Sequence, residues 1–159
     1  MNASGNKLTT RVLCVTALFM ALNIVLSSFG VPVPGGRMYL NDIVICAAAI
    51  LLENPMCSFA VGGIGAFLGD LFFYPTPMFV SLVTHGVQAI VITHCTYRLF
   101  GKRSYQGALI GVALGAVIMV VGYSLGRALI YSTPHYAYIK LPYQILQAVV
   151  GAVVGIIIT

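Results

Sequence analysis

Asp42, Glu53 and Asp70 are the only acidic residues in a chain of 159 residues that is 60% hydrophobic and 7% charged. In so apolar a chain each ionisable group is conspicuous, because charge is costly away from water unless it is paired or lines a cavity. Ser81, Thr84, His85 and Gln88 recur at i, i+3, i+4 and i+7, the spacing of one helix face. Gln144 and Gln147 share a face in the same way. With Asp42, Asp70 and Arg127, these groups offer hydrogen bonds and fixed charge to a polar small molecule. Bond-making chemistry has little support. There is no His-Glu-x-x-His, no paired Cys/His ligand spacing and no phosphate-cradling loop, so neither a metal nor a cofactor is expected and the chain alone does not hydrolyse ATP. Cys14, Cys46, Cys57 and Cys95 fall in or beside apolar runs, as small buried residues do.

The elements that must position these groups are membrane helices. Soluble domains carry roughly a quarter charged residues, far more than are present, and long apolar runs separated by Pro, Gly, Tyr or basic breaks indicate a helical bundle. The alternation of a β-barrel is missing. The expected fold is a single all-α integral membrane domain of six transmembrane helices. Helix 1 is read over Thr10–Phe29, helix 2 over Tyr39–Leu52, helix 3 over Pro55–Phe73, helix 4 over Met78–Phe100 and helix 5 over Tyr105–Tyr131. Ser132–Lys140 is expected as an aromatic loop. Helix 6 then starts near Pro142 and is still apolar at Thr159, where a complete protein would be expected to carry a polar tail. Gly30–Gly36, with Pro32 and Pro34, excludes a helix. Lys7 and Arg11 ahead of an apolar run resemble a signal peptide, but the further spans favour a retained helix.

The net charge of +5 does not point to nucleic acid, because the basic residues sit at the ends of apolar runs. With the N-terminus inside, the cytoplasmic segments carry Lys7, Arg11, Arg98, Lys102 and Arg103, and the outer loops Arg37 and Lys140. That bias follows the positive-inside rule and places both termini in the cytoplasm. Asp42, Asp70, Arg127, Gln144, Gln147 and the helix 4 stripe then fall in the outer part of the bundle, near Tyr39, Phe73, Tyr74, Tyr123 and Tyr131. A few polar groups among aromatic walls compose a small-molecule pocket. Plainer readings stand beside this one. Asp42 suits a cap of helix 2, Asp70 and Arg127 a structural ion pair, His85 a bonded interior residue and Glu53 a solvated turn. The tyrosines suit interfacial anchors.

Small residues at four-residue spacing (Ala17/Ala21, Gly65/Gly69, Gly107/Gly111/Gly115, Gly122/Gly126 and Gly151/Gly155) suit close helix packing.

Tyr39-Leu40-Asn41-Asp42-Ile43-Val44, Gly62-Gly63-Ile64-Gly65-Ala66-Phe67-Leu68-Gly69-Asp70, Tyr74-Pro75-Thr76-Pro77-Met78 and Leu141-Pro142-Tyr143-Gln144-Ile145-Leu146-Gln147 together resemble the substrate-binding S components of energy-coupling-factor (ECF) vitamin transporters. The resemblance covers nearly the whole chain and lies nearest to members associated with hydroxymethylpyrimidine or pyridoxine. It implies vitamin capture near the outer face of a bacterial plasma membrane. Its implied partners are a membrane coupling subunit and two cytoplasmic ATPases. Ala17-Leu18-Phe19-Met20-Ala21 matches the family's Ala-x-x-x-Ala contact with the coupling subunit, and Pro34, Gly35 and Gly36 would form a mobile gate. The expected substrate-binding residues are Tyr39, Asn41, Asp42, Asp70, Tyr74, His85, Arg127, Gln144 and Gln147. An autonomous ion-coupled carrier is the main alternative, and an intramembrane enzyme a lesser one.

Overall fold

A computed structural model describes residues 8–159; Lys7, counted above among the cytoplasmic charges, lies outside them. Six helices run through the described residues: α1 (Thr10–Ser27), α2 (Asn41–Leu51), α3 (Pro55–Phe73), α4 (Met78–Arg98), α5 (Tyr105–Tyr131) and α6 (Pro134–Ile157). Five are long and apolar enough to cross a membrane, and α2 is the short one. Local chemistry sets the starts. Thr9, Asn54 and Ser104 each accept a backbone N–H from the first turn of α1, α3 and α5, and Pro55 occupies the first turn of α3, where its missing N–H costs nothing.

The segment between α1 and α2 is not only non-helical but paired. Val31–Val33 (β1) and Gly36–Met38 (β2) form an antiparallel hairpin closed by Pro34 and Gly35. Gly35 has φ 82°, which glycine adopts without a Cβ penalty, and Pro-Gly at the two central positions suits a type II turn.

The largest correction concerns the loop expected at Ser132–Lys140. α6 starts at Pro134, with Thr133 accepting from the Tyr136 N–H and Pro134 in the first turn, and Pro142 lies inside the helix. Thr133-Pro134 is itself a start signal, a capping residue followed by a first-turn proline. The helix runs through Pro142, with one backbone N–H fewer in that turn. Gln144 and Gln147 thus lie well inside α6 rather than in its first two turns. Lys140 is a buried helical residue, not a loop charge.

α2 is the hub. Asn41, Asp42 and every residue from Val44 to Ile50 are buried, as befits a helix surrounded by others. Ile45, Cys46, Ala49 and Ile50 pack with Ala89 and Ile92 of α4 and Ala108 and Val112 of α5. The bundle's outside is strongly apolar: Leu18, Phe72, Leu129 and Ile130 are all largely exposed. That arrangement suits lipid as the surrounding medium. Two π-helical turns interrupt the long helices, at Ala60–Ile64 and Arg127–Tyr131. In the first, the Val61 carbonyl accepts from Asn23 Nδ2 at 2.6 Å, tying α3 to α1.

Candidate functional site

At the hairpin end of the bundle a cleft is lined by Gly36, Arg37, Tyr39, Asn41, Asp70, Tyr74, Pro77, His85, Met119, Tyr123, Arg127, Tyr131, Lys140, Gln144 and Gln147. Its cavity volume is about 30 Å³, far below the roughly 300–1,000 Å³ usual for small-molecule sites, so the lining side chains nearly fill it. The walls stand close together, so its interior is narrow.

The floor is a hydrogen-bonded set built on Asp42. This carboxylate accepts from Gln88 Nε2 at 3.2 Å and from Gln147 Nε2 at 2.6 Å. Gln147 also accepts the Tyr39 N–H through Oε1 at 3.0 Å, linking α6 to the hairpin's exit. An ionised carboxylate only accepts, so Gln88 must turn its NH2 to Asp42 and its Oε1 to His85 Nδ1, 2.7 Å away. His85 Nδ1 therefore carries a proton. Asp42 Oδ1 also stands 3.6 Å from His85 Nδ1. Two plainer readings of the sequence fall here. Asp42 does not cap α2, whose start has no side-chain cap, and Asp70 forms no ion pair with Arg127.

Asp70 instead accepts from the Ser81 hydroxyl, which in turn meets the Tyr123 hydroxyl. The Tyr123 ring lies 5.2 Å from that of His85. Arg127, at the start of the π-helical turn, donates from Nη1 to the Gly35 carbonyl at 2.8 Å and lies over the Tyr131 ring. At the cleft's edge, burial first and then the Asp70 charge push the Tyr39 phenol above its ordinary pKa.

Six buried side-chain polar atoms have no hydrogen-bond partner among the described residues. Four belong to the cleft lining: Asn41 Oδ1, Arg127 Nε, Tyr131 OH and Gln144 Oε1. Leaving such a group unmatched costs roughly 1–3 kcal/mol. Their concentration around one cleft is chemically specific: two carbonyl acceptors, a guanidinium donor and a phenol belong to residues that line it. The arrangement can hold a polar molecule by its edges against tyrosine faces.

Of the residues expected around a pocket, Tyr39, Asn41, Asp70, Tyr74, His85, Arg127, Gln144 and Gln147 line this cleft. Asp42 does not: it is 1% exposed and stands behind the wall, orienting Gln88 and Gln147. Phe73 faces outward. Gly36 lines the cleft and Gly35 contributes the carbonyl that Arg127 binds; Pro34 forms the exposed tip. Lys140 was missed as a lining residue. Lys140, Gln144 and Gln147 are spaced i, i+4 and i+7, which a helix starting at Thr133-Pro134 would have revealed. Ala17 and Ala21 lie far from this chemistry, exposed on α1.

Sequence reasoning also overlooks one motif. Gly122-Tyr123-Ser124-Leu125-Gly126 spells Gly-x-Ser-x-Gly, which in hydrolases places a serine on a sharp strand-to-helix turn. Here it lies within α5, and Ser124 Oγ is buried with no partner among the described residues. The glycines abut Thr84 and Val80 of α4. It is a packing pattern, not a nucleophile elbow.

Over residues 7–159 the chain matches the family described as ECF-type riboflavin transporter, S component. It is also similar to a Pyrococcus woesei protein described as "Uncharacterized protein in gap 3'region". The two are 32% identical over 127 residues, covering 79% of this chain and 82% of that one. The matched family is one of transporter components rather than enzymes. With a match that runs nearly from end to end, on an apolar helical bundle, this chain belongs to the S-component family of ECF-type transporters and is a multi-pass membrane protein of transport.

Proposed function

We propose that this chain captures a water-soluble vitamin or precursor in the hairpin-end cleft and delivers it to an ECF coupling subunit driven by two ATPases. The observation that carries the reading is the gathering of unmatched polar atoms on Asn41, Arg127, Tyr131 and Gln144 around one tyrosine-walled cleft. Asp70 and His85 suit the edge of a nitrogen-rich ring, with Tyr39, Tyr74, Tyr123 and Tyr131 as its walls. Asp42 and Gln147 position these groups. A single ring of the hydroxymethylpyrimidine or pyridoxine type needs the smaller opening of so narrow a cleft. Riboflavin, named in the family's description, is the larger rival. A ring enters once the Pro34–Gly36 turn lifts, breaking the Arg127–Gly35 bond; glycine's conformational range suits that movement.

Charge supports an orientation with the hairpin outside the cell and both termini in the cytoplasm of a plasma membrane. Arg11, Arg98, Lys102 and Arg103 lie at the end opposite the hairpin, and among the described residues Arg37 alone of the exposed Lys and Arg lies at the hairpin end.

Native mass spectrometry of the purified protein, followed by titration with the three vitamins, tests this. One vitamin should be retained, and Asp70→Asn should weaken its binding about 10-fold or more, as loss of a charged hydrogen bond costs about 1.5–3 kcal/mol. Unchanged affinity, or uptake by the chain alone under a proton gradient, would defeat the reading.

A further inference from the structure

We propose that the ligand of this cleft carries an anionic group, a carboxylate or a phosphate, seated between Arg127 and Lys140 beneath Gly36. The inference rests on the cleft being the substrate site. Both side chains are 6% exposed, and both reach the same spot. A Cβ on Gly36 would lie 3.3 Å from Arg127 Nη1 and 3.6 Å from Lys140 Nζ.

No carboxylate lies within 4.0 Å of either cation among the described residues. The two nearby carboxylates are turned to neutral donors instead, Asp70 to Ser81 and Asp42 to Gln88 and Gln147. Arg127 spends one N–H on the Gly35 carbonyl and leaves Nε without a partner. Lys140 Nζ makes no hydrogen bond among the described residues, and Arg37 adds a further cation at the lining.

Adjacent buried like charges repel strongly where water is scarce, and buried charges are ordinarily paired. The unmatched donors are a guanidinium fork and an ammonium point charge, a combination that suits carboxylate and phosphate oxygens. Nor can the hairpin supply the counter-charge, since its tip is Pro34-Gly35-Gly36. Glycine at position 36 leaves the space between the cations open from above. A ligand that brings a negative charge joins the two cations and completes the site.

The experiment is calorimetric titration of the purified protein with ligands that differ only in this group: pyridoxine, its 5′-phosphate and 4-pyridoxic acid, then riboflavin and its 5′-phosphate. An anionic member should bind at least about 10-fold tighter than its neutral parent, about 1.4 kcal/mol. That preference should shrink as NaCl is raised and vanish in Lys140→Met. Phosphate above carboxylate, or the reverse, identifies the group. A neutral parent that binds as well as or better than its anions overturns the proposal and leaves the vitamin-capture reading intact. Inorganic phosphate gives a readout independent of the ring: at matched ionic strength it should raise the melting temperature of the native protein but not of Lys140→Met. No difference between the two also overturns it. If no member of either series binds to folded protein, the capture reading falls with it.

Discussion

The glycine row of α5 and the alanine pair of α1 look alike in sequence and meet opposite fates. Gly107, Gly111, Gly115, Gly122 and Gly126 all press against α4, where an added Cβ would run into Cys95, Ile92, Gln88, Thr84 or Val80. Ala17 and Ala21 have the same four-residue spacing, yet both point away from the bundle, on a helix flanked by exposed Leu13, Leu18, Leu22 and Val25. The first stripe is consumed in holding two helices at backbone distance. The second is left unused by the fold and is available for a partner helix, which in lipid associates through the same close approach. Small residues at i, i+4 therefore do not by themselves say whether the fold uses them.

Substitutions sharpen this contrast. The largest effect is expected for Gly111→Leu, whose Cβ alone would stand 3.0 Å from the Ile92 backbone. Overpacking a tight core costs about 1–3 kcal/mol for small insertions, and a whole isobutyl group against backbone exceeds that. The protein should fail to accumulate in folded form, read by size-exclusion chromatography and thermal melting in detergent. A normal melting curve would show that the α4–α5 seam is loose. Next comes Ala17→Trp, which should leave the melting temperature and vitamin affinity unchanged while abolishing recovery of the chain with its coupling subunit. Intact assembly would remove α1 as the docking face. Ala21→Leu should give a partial loss in the same pull-down. The smallest change is expected for Gly101→Ala, in the α4–α5 turn. Its surroundings are open, so only its φ of 76° is penalised, at about 1–2 kcal/mol and without effect on binding or assembly.

Much of the scaffold was legible because hydropathy acts locally. The apolar runs, the Asn54-Pro55 and Tyr74–Pro77 breaks and the Ser81–Gln88 face each arise from neighbours along the chain, and those features reappear with shifts of a few residues at helix ends. α1 stops at Ser27 rather than Phe29, and α4 at Arg98 rather than Phe100. The start of α6 was not legible in the same way. Pro142 and Thr133-Pro134 offer rival signals, and the choice between them depends on packing that supports a proline inside the helix.

What the sequence alone determined is the medium and the inventory: an apolar chain that needs lipid, a short second helix and a small set of polar groups. Their gathering near Tyr39, Tyr74 and Tyr123 could be anticipated from helix ends. Tertiary structure decided how they are used. It withdrew Asp42 from the cleft to orient its neighbours and turned Asp70 to Ser81 rather than to Arg127. It also brought Lys140 in from an expected loop and spent one small-residue stripe while leaving the other free. The reason is physical: helical spacing assigns a side chain to a face, but only the packing of all six helices determines what that face meets.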